Sequence, residues 1–261
     1  MNYNNRNIIL RLNNFYAGDK GQKTYKCINN AISTFWHNIK NEKILGIGYT
    51  SIYIQNFLNN YLISANPFYP YTDSNILGEY IRNNNTNIMD CAIQEDALPF
   101  SNNAINRIML IHCIEYSSNI HQLMKEVWRI LIPGGKLLIV VPNKFSILSY
   151  VETDFFKRCN SFSIGQLYNL LYEHMFVPIS TSSALFGVSN LYSTLLPFHS
   201  ILEHTGQKSL LPFGGLLLIE STKLMYASRQ KFPKPRKMVF NPHRLGTQNN
   251  RHNIMQVFSN S

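Results

Sequence analysis

Two groups that can exchange protons, His112 and Glu115, sit three residues apart just beyond an apolar run ending at Ile111. Histidine changes protonation near neutrality, so His112 suits a base wherever a bound nucleophile must lose a proton; otherwise it shapes a pocket. Upstream, Asp96 lies five residues beyond another short run, 88–91, at a loop position where a carboxylate is ordinarily solvated. The segment Ile44-Leu45-Gly46-Ile47-Gly48-Tyr49-Thr50-Ser51-Ile52 adds a turn in which glycine lets backbone approach a ligand closely. A nicotinamide site would want G-x-G-x-x-G here, and Ser51 stands where the third glycine belongs.

These groups need elements to hold them. Short apolar strands alternating with amphipathic helices predict a doubly wound, mostly parallel sheet covered on both faces. Seven strands are expected, at 43–48, 61–65, 88–91, 107–112, 136–141, 177–184 and 216–224. A helix over about 21–36 precedes the first. Ile120, Leu123, Met124, Val127, Trp128 and Leu131 recur at helical spacing behind Asn119 as N-cap, and Pro133-Gly134-Gly135 is expected to stop that helix and turn the chain. Ser163 and Gln166 form a capping-box pair ahead of Ile164, Leu167, Leu170 and Leu171. Residues 1–14, broken up by Asn and Arg, read as neither a membrane span nor a secretion signal.

The 261 residues are 45% hydrophobic and 13% aromatic, enough for one ordinary core. Their longest apolar stretches fall far short of the roughly 18 residues that cross a bilayer, and no secretion signal is seen, so a cytoplasmic protein is expected. Cys27, Cys91, Cys113 and Cys159 have no C-x-x-C spacing or local histidine partner; all four are expected to be buried and reduced, with no metal. Net charge is +10, yet residues 228–261 hold seven Lys or Arg and no acid, leaving 17 basic against 14 acidic residues elsewhere. The expected organisation is a domain over 1–227 and a basic, disordered tail over 228–261. Such a tail is ordinarily solvated, and nucleic acid is not the expected partner.

Residues 95–143 read EDALPFSNNAINRIMLIHCIEYSSNIHQLMKEVWRILIPGGKLLIVVPN. This text resembles the central half of class I S-adenosylmethionine-dependent methyltransferases, D-A-x-x-L-P-F, then a strand, H-V-L-E-H, and a helix ending R-x-L-x-P-G-G-x-L. The resemblance implies a Rossmann-like methyltransferase fold, S-adenosyl-L-methionine as cofactor, and methyl transfer to an unknown small-molecule or lipid-like acceptor. It implies that Asp96 takes the adenine amine, with Ala97 and Leu98 adding backbone contacts, and that His112 and Glu115 lie beside the methionine end. By the same resemblance Gly46, Gly48, Tyr49 and Asn66 face the cofactor, and His112 is the candidate catalytic group.

The first loop departs from the family's D/E-x-G-x-G-x-G: the acid becomes Gly46, Gly48 survives, and Thr50 and Ile52 replace two glycines. Asn66 replaces the usual ribose-binding acid of the second strand. Gly46-Ile47-Gly48-Tyr49-Thr50 is similar to the G-x-G-Y-[AT] loop of a bacterial subgroup of methyltransferase-domain proteins. Weaker cofactor binding is expected, and the alternative is a non-catalytic binding module. No N-P-P-[YF] text follows the fourth strand, which argues against an adenine or amide nitrogen acceptor. Phe145, Tyr150, Phe155, Phe156 and Phe162 are candidates to line an apolar acceptor site, or to pack beneath a lid.

Overall fold

The computed structural model describes residues 3–67, 89–146, 160–184 and 214–225. Helices α1 (Tyr3–Ala17) and α2 (Asp19–Phe35) lead into β1 (Lys43–Gly48), the single turn α3 (Ser51–Ile54), β2 (Tyr61–Asn66), β3 (Met89–Ala92) and β4 (Ile105–Ile111). Then come α4 (Ile120–Ile130), β5 (Leu131–Pro142), α5 (Ile164–Glu173), β6 (Phe176–Ala184) and β7 (Leu216–Lys223). The seven strands form one sheet in the order β3-β2-β1-β4-β5-β7-β6, parallel except that β7 runs antiparallel to both its neighbours. The order reverses at β1, where β2 and β4 flank it, so the crevice beyond the carboxyl ends of these strands is where an open α/β sheet takes a ligand.

Alternation along each strand divides the apolar side chains between two cores, as a period of two demands. Ile44, Met109, Ile111, Leu138 and Val140 pack with Leu12 of α1 and Ile28 and Ile32 of α2 on one face. Leu45, Ile47, Ile108, Leu110, Leu137 and Ile139 pack with Leu123 and Val127 of α4 and Leu167 and Leu171 of α5 on the other. The expected doubly wound sheet is therefore the fold. Ser163 completes its capping box with Gln166, and Asn119 Oδ1 accepts from the Gln122 amide.

Three features go beyond or against the expectations. First, α1 is a helix in a stretch where no element is expected, because Ile8, Ile9, Leu12 and Tyr16 fall on one stripe that the first core buries. Second, the Pro133-Gly134-Gly135 turn does not end α4; Leu131 already has extended backbone and pairs with Ile105. The ladder resumes at Lys136 with Arg107, so Ile132 to Gly135 bulge out of β5, with Gly134 at φ +70°. Third, Cys27 and Cys91 are only partly buried, and of the described cysteines only Cys113 is enclosed; none of the three is in a disulfide. Cys159 and the expected basic tail lie outside the described residues. Among the described residues no helix is long and apolar enough to cross a membrane.

Candidate active site

β1 and β4 end side by side, and the chain leaves both in unusual backbone. Gly48 has φ +96°; a side chain there would strike the Ile111 carbonyl and come within 2.9 Å of the Cys113 Cβ. Only glycine fits so close a crossing. The Tyr49 amide then donates to Ile111 O at 2.8 Å, tying the loop to β4. One residue on, His112 takes φ +49°, a left-handed conformation that costs a non-glycine residue about 1 kcal/mol and collects at functional positions.

That backbone aims the imidazole into the core, where it is 1% exposed. His112 Nδ1 lies 2.9 Å from Glu115 Oε1 and Nε2 lies 2.7 Å from the Tyr16 hydroxyl. The Tyr53 hydroxyl donates in turn to Tyr16 at 2.9 Å. Donors and acceptors agree in one direction: Tyr53 O–H to Tyr16, Tyr16 O–H to His112 Nε2, His112 Nδ1–H to the carboxylate. Burial, the largest cause, drives the Tyr16 and Tyr53 hydroxyls well above their ordinary range and pushes Tyr49 up to about 12, so all three are neutral at physiological pH. Tyr49 stacks on Tyr16 with ring centroids 5.0 Å apart and donates to Asn13 Oδ1 at 2.9 Å. Helix α1, silent in the sequence, thus supplies Tyr16 and Asn13 as a roof over the ends of β1 and β4.

Among the described residues, three buried polar atoms just beyond the ends of β1 and β4 make no hydrogen bond: Glu115 Oε2, Thr50 Oγ1 and Ser51 Oγ. A buried, unpaired oxygen costs about 1–3 kcal/mol. Glu115 is the sharpest case, since its other oxygen is fixed by His112 and its side chain has no exposure. The cationic end of a ligand would satisfy that carboxylate.

The first loop explains its own departures. A Cβ at Gly46 would lie 2.5 Å from the Cβ of Thr50 and closer still to its hydroxyl, so Thr50 fills the volume an acid at 46 would occupy. The missing acid and the missing glycine are one change made twice. Gly46 itself is buried in β1 and packed against Thr50. Asn66 ends β2 beside β1 and is 5% exposed.

Asp96 lies on the exposed turn after β3 and Ala97 beside it, bridged back to Gln94. Leu98 is held instead: its amide donates to Glu126 Oε2 at 2.9 Å and its carbonyl accepts from Arg129 at 2.9 Å. Arg129 also reaches Phe100 O and Asn102 Oδ1, each at 2.8 Å, and pairs with Glu126 at 2.7 Å. That hydrogen bond, foremost, holds the Glu126 carboxyl below its ordinary range. Two α4 side chains therefore clamp the loop that carries Asp96. Ser117 Oγ donates to Glu95 Oε2 at 2.7 Å, joining this turn to the loop after His112. Glu126 and Arg129 were not singled out from sequence, although Arg129 opens the R-x-L-x-P-G-G text. Phe145 is 65% exposed and Phe162 packs against the second core; Tyr150, Phe155 and Phe156 lie outside the described residues.

Residues 71–139 match a family model described as a methyltransferase domain. No curated protein sequence matches the chain. Among solved structures, a Thermotoga maritima S-adenosylmethionine-dependent methyltransferase described as a possible histamine N-methyltransferase superposes with TM-score 0.61 at 16% identity, covering 84% of this chain and 97% of that one. A Mesorhizobium loti S-adenosylmethionine-dependent methyltransferase follows at TM-score 0.52 and 11% identity, covering 74% and 96%. The geranyl diphosphate C-methyltransferase of Streptomyces coelicolor, solved with S-adenosyl-L-homocysteine, gives 0.50 at 14% identity, covering 75% and 79%. Likeness at these identities is a likeness of fold.

Proposed function

We propose that this chain, whose fold is that of the class I S-adenosylmethionine-dependent methyltransferases, binds S-adenosylmethionine at the carboxyl ends of β1, β2 and β4 and transfers its methyl group to a small acceptor. The observation that carries this reading is Glu115 Oε2, an enclosed carboxylate oxygen that makes no hydrogen bond among the described residues, in the loop after β4, the strand beside the reversal of order at β1.

The cofactor would supply a methyl group on a cationic sulfur; the protein's task is to hold it in line with an acceptor at about 3 Å. Glu115 offers its free oxygen to the cationic amino-acid end, and a buried carboxylate gains most from such a partner because no water competes. His112 acts as a positioning residue in this reading. With Nδ1 on Glu115 and Nε2 on Tyr16, it fixes which carboxylate oxygen faces the ligand. It becomes a base only if an acceptor hydroxyl displaces Tyr16 from Nε2. Asn66 meets a ribose hydroxyl, Asp96 accepts the adenine amine, and Gly48 with Tyr49 lets the backbone approach.

A second reading, a binding module without turnover, is favoured by one specific feature: Thr50, Tyr49 and Tyr16 fill space that a glycine-rich loop leaves open. Calorimetric titration with S-adenosylmethionine and S-adenosylhomocysteine separates the two. Binding that Glu115→Gln and Asp96→Ala each weaken by about tenfold supports the enzyme. Absence of heat at about millimolar ligand would move the assignment to the binding module.

A further inference from the structure

We propose that His121, Glu173 and His174 form a surface site for a divalent first-row transition metal, of which zinc is the representative. His121 is the second residue of α4, Glu173 the last of α5, and His174 caps α5. Both helices pack on the same face of the sheet through Leu123, Val127, Leu167 and Leu171, so their backbones are held in place.

His121 Nδ1 and His174 Nε2 are 3.0 Å apart, Glu173 Oε2 is 3.9 Å from His121 Nδ1, and all three donor atoms lie within 4.8 Å of one another. Tetrahedral zinc, with bonds of about 2.0–2.2 Å, sets its ligands roughly 3.3–3.5 Å apart. The three atoms therefore bracket the required edges. The ring centroids stand 5.3 Å apart, so the two nitrogens face each other nearly head-on and share one hydrogen. A metal takes the place of that hydrogen when the rings turn by about 35° each, the angle between head-on and tetrahedral approach. His121 and Glu173 side chains, each 61% exposed, have the freedom to turn.

Two imidazoles and a carboxylate suit zinc, nickel or copper better than magnesium or calcium, which prefer oxygen alone. The fourth position is left to water or to a partner's side chain. Once filled, the site staples the start of α4 to the end of α5.

The test uses the full chain freed of metal with a chelator. Zinc is titrated by calorimetry, cobalt is added in parallel for its visible absorption, and thermal unfolding is followed with and without zinc. One zinc per chain is expected, with a raised unfolding temperature. His121→Ala and His174→Ala should each weaken binding by about tenfold or more and abolish the rise. His121 is exposed, so its variant keeps the fold, which far-UV circular dichroism verifies in the absence of metal. Equal zinc affinity in native chain and double variant, or no binding at about millimolar zinc, overturns the proposal. Neither result bears on S-adenosylmethionine binding, which is read separately.

Discussion

Gly46 and Thr50 make a pair whose coupling can be measured. Replacing Gly46 by Ala puts a methyl 2.5 Å from Thr50 Cβ, where ordinary contact begins at 3.4 Å. Thr50 has no exposure, and its Cβ is rigid on the backbone, so relief requires the start of α3 to move by about 1 Å. Overpacking of this kind costs about 1–3 kcal/mol; taking about 2 kcal/mol, the unfolding temperature of a domain this size falls by roughly 4–8 °C. Thr50→Gly loses a buried methyl worth about 1 kcal/mol and gains backbone entropy cost, but it also removes a hydroxyl that has no partner. Its net cost is therefore near 1 kcal/mol. In the double variant the collision vanishes, so G46A/T50G should be about 2 kcal/mol more stable than the sum of the single losses predicts. Equilibrium urea unfolding followed by circular dichroism measures all four forms. Additivity within about 0.5 kcal/mol would refute the claim that the two departures are one change.

Tyr16→Phe removes the hydrogen bond that links Tyr16 to His112 Nε2 and the one it accepts from the Tyr53 hydroxyl, both in the core, and urea unfolding should record a loss of about 1–3 kcal/mol. Arg129→Met frees the carbonyls of Leu98 and Phe100, and hydrogen exchange at the Leu98 amide should quicken by about tenfold. Lysine at 129 should not restore protection, because it lacks the planar fork that reaches several acceptors at once. Burial first, then the proximity of His121, holds His174 below the ordinary 6.5, with Lys125 adding to the drop and Glu173 opposing it. The unfolded chain therefore binds the extra proton first as pH falls, so this residue's contribution is intact above about pH 6.5 and lost below it. Thermal unfolding at pH 7.5 and 5.5 should show a drop that His174→Gln reduces.

The sheet was legible because its strands are short apolar runs between clear turn signals, and β1 and β7 fall within a residue of their expected ends. Both predicted helix caps formed because the Asn119 and Ser163 side chains accept from first-turn amides, those of Gln122 and Gln166, that lie too early in their helices for an i−4 carbonyl of the helix. What escaped was long-range. Tyr16 lies 96 residues from His112, and nothing local marks a tyrosine in an Asn-rich stretch as a partner for a distant imidazole. The Pro-Gly-Gly text was taken for a helix stop because local punctuation cannot show that Leu131 already pairs with Ile105. Clustered polar residues on one strand end could be read; the side chains that clamp them from other elements could not.

The roof formed by α1 also sets a clock. A ligand entering past Tyr16 would have to wait for the stack on Tyr49 and the bond to His112 to open together. Opening of a packed helix runs on microseconds to milliseconds. Under this arrangement the association rate would stop rising with ligand concentration once it meets the opening rate, and a bound molecule would be slow to exchange with its labelled counterpart. Asn13 and Tyr16, which make or break no covalent bond, would then govern how often the site is used.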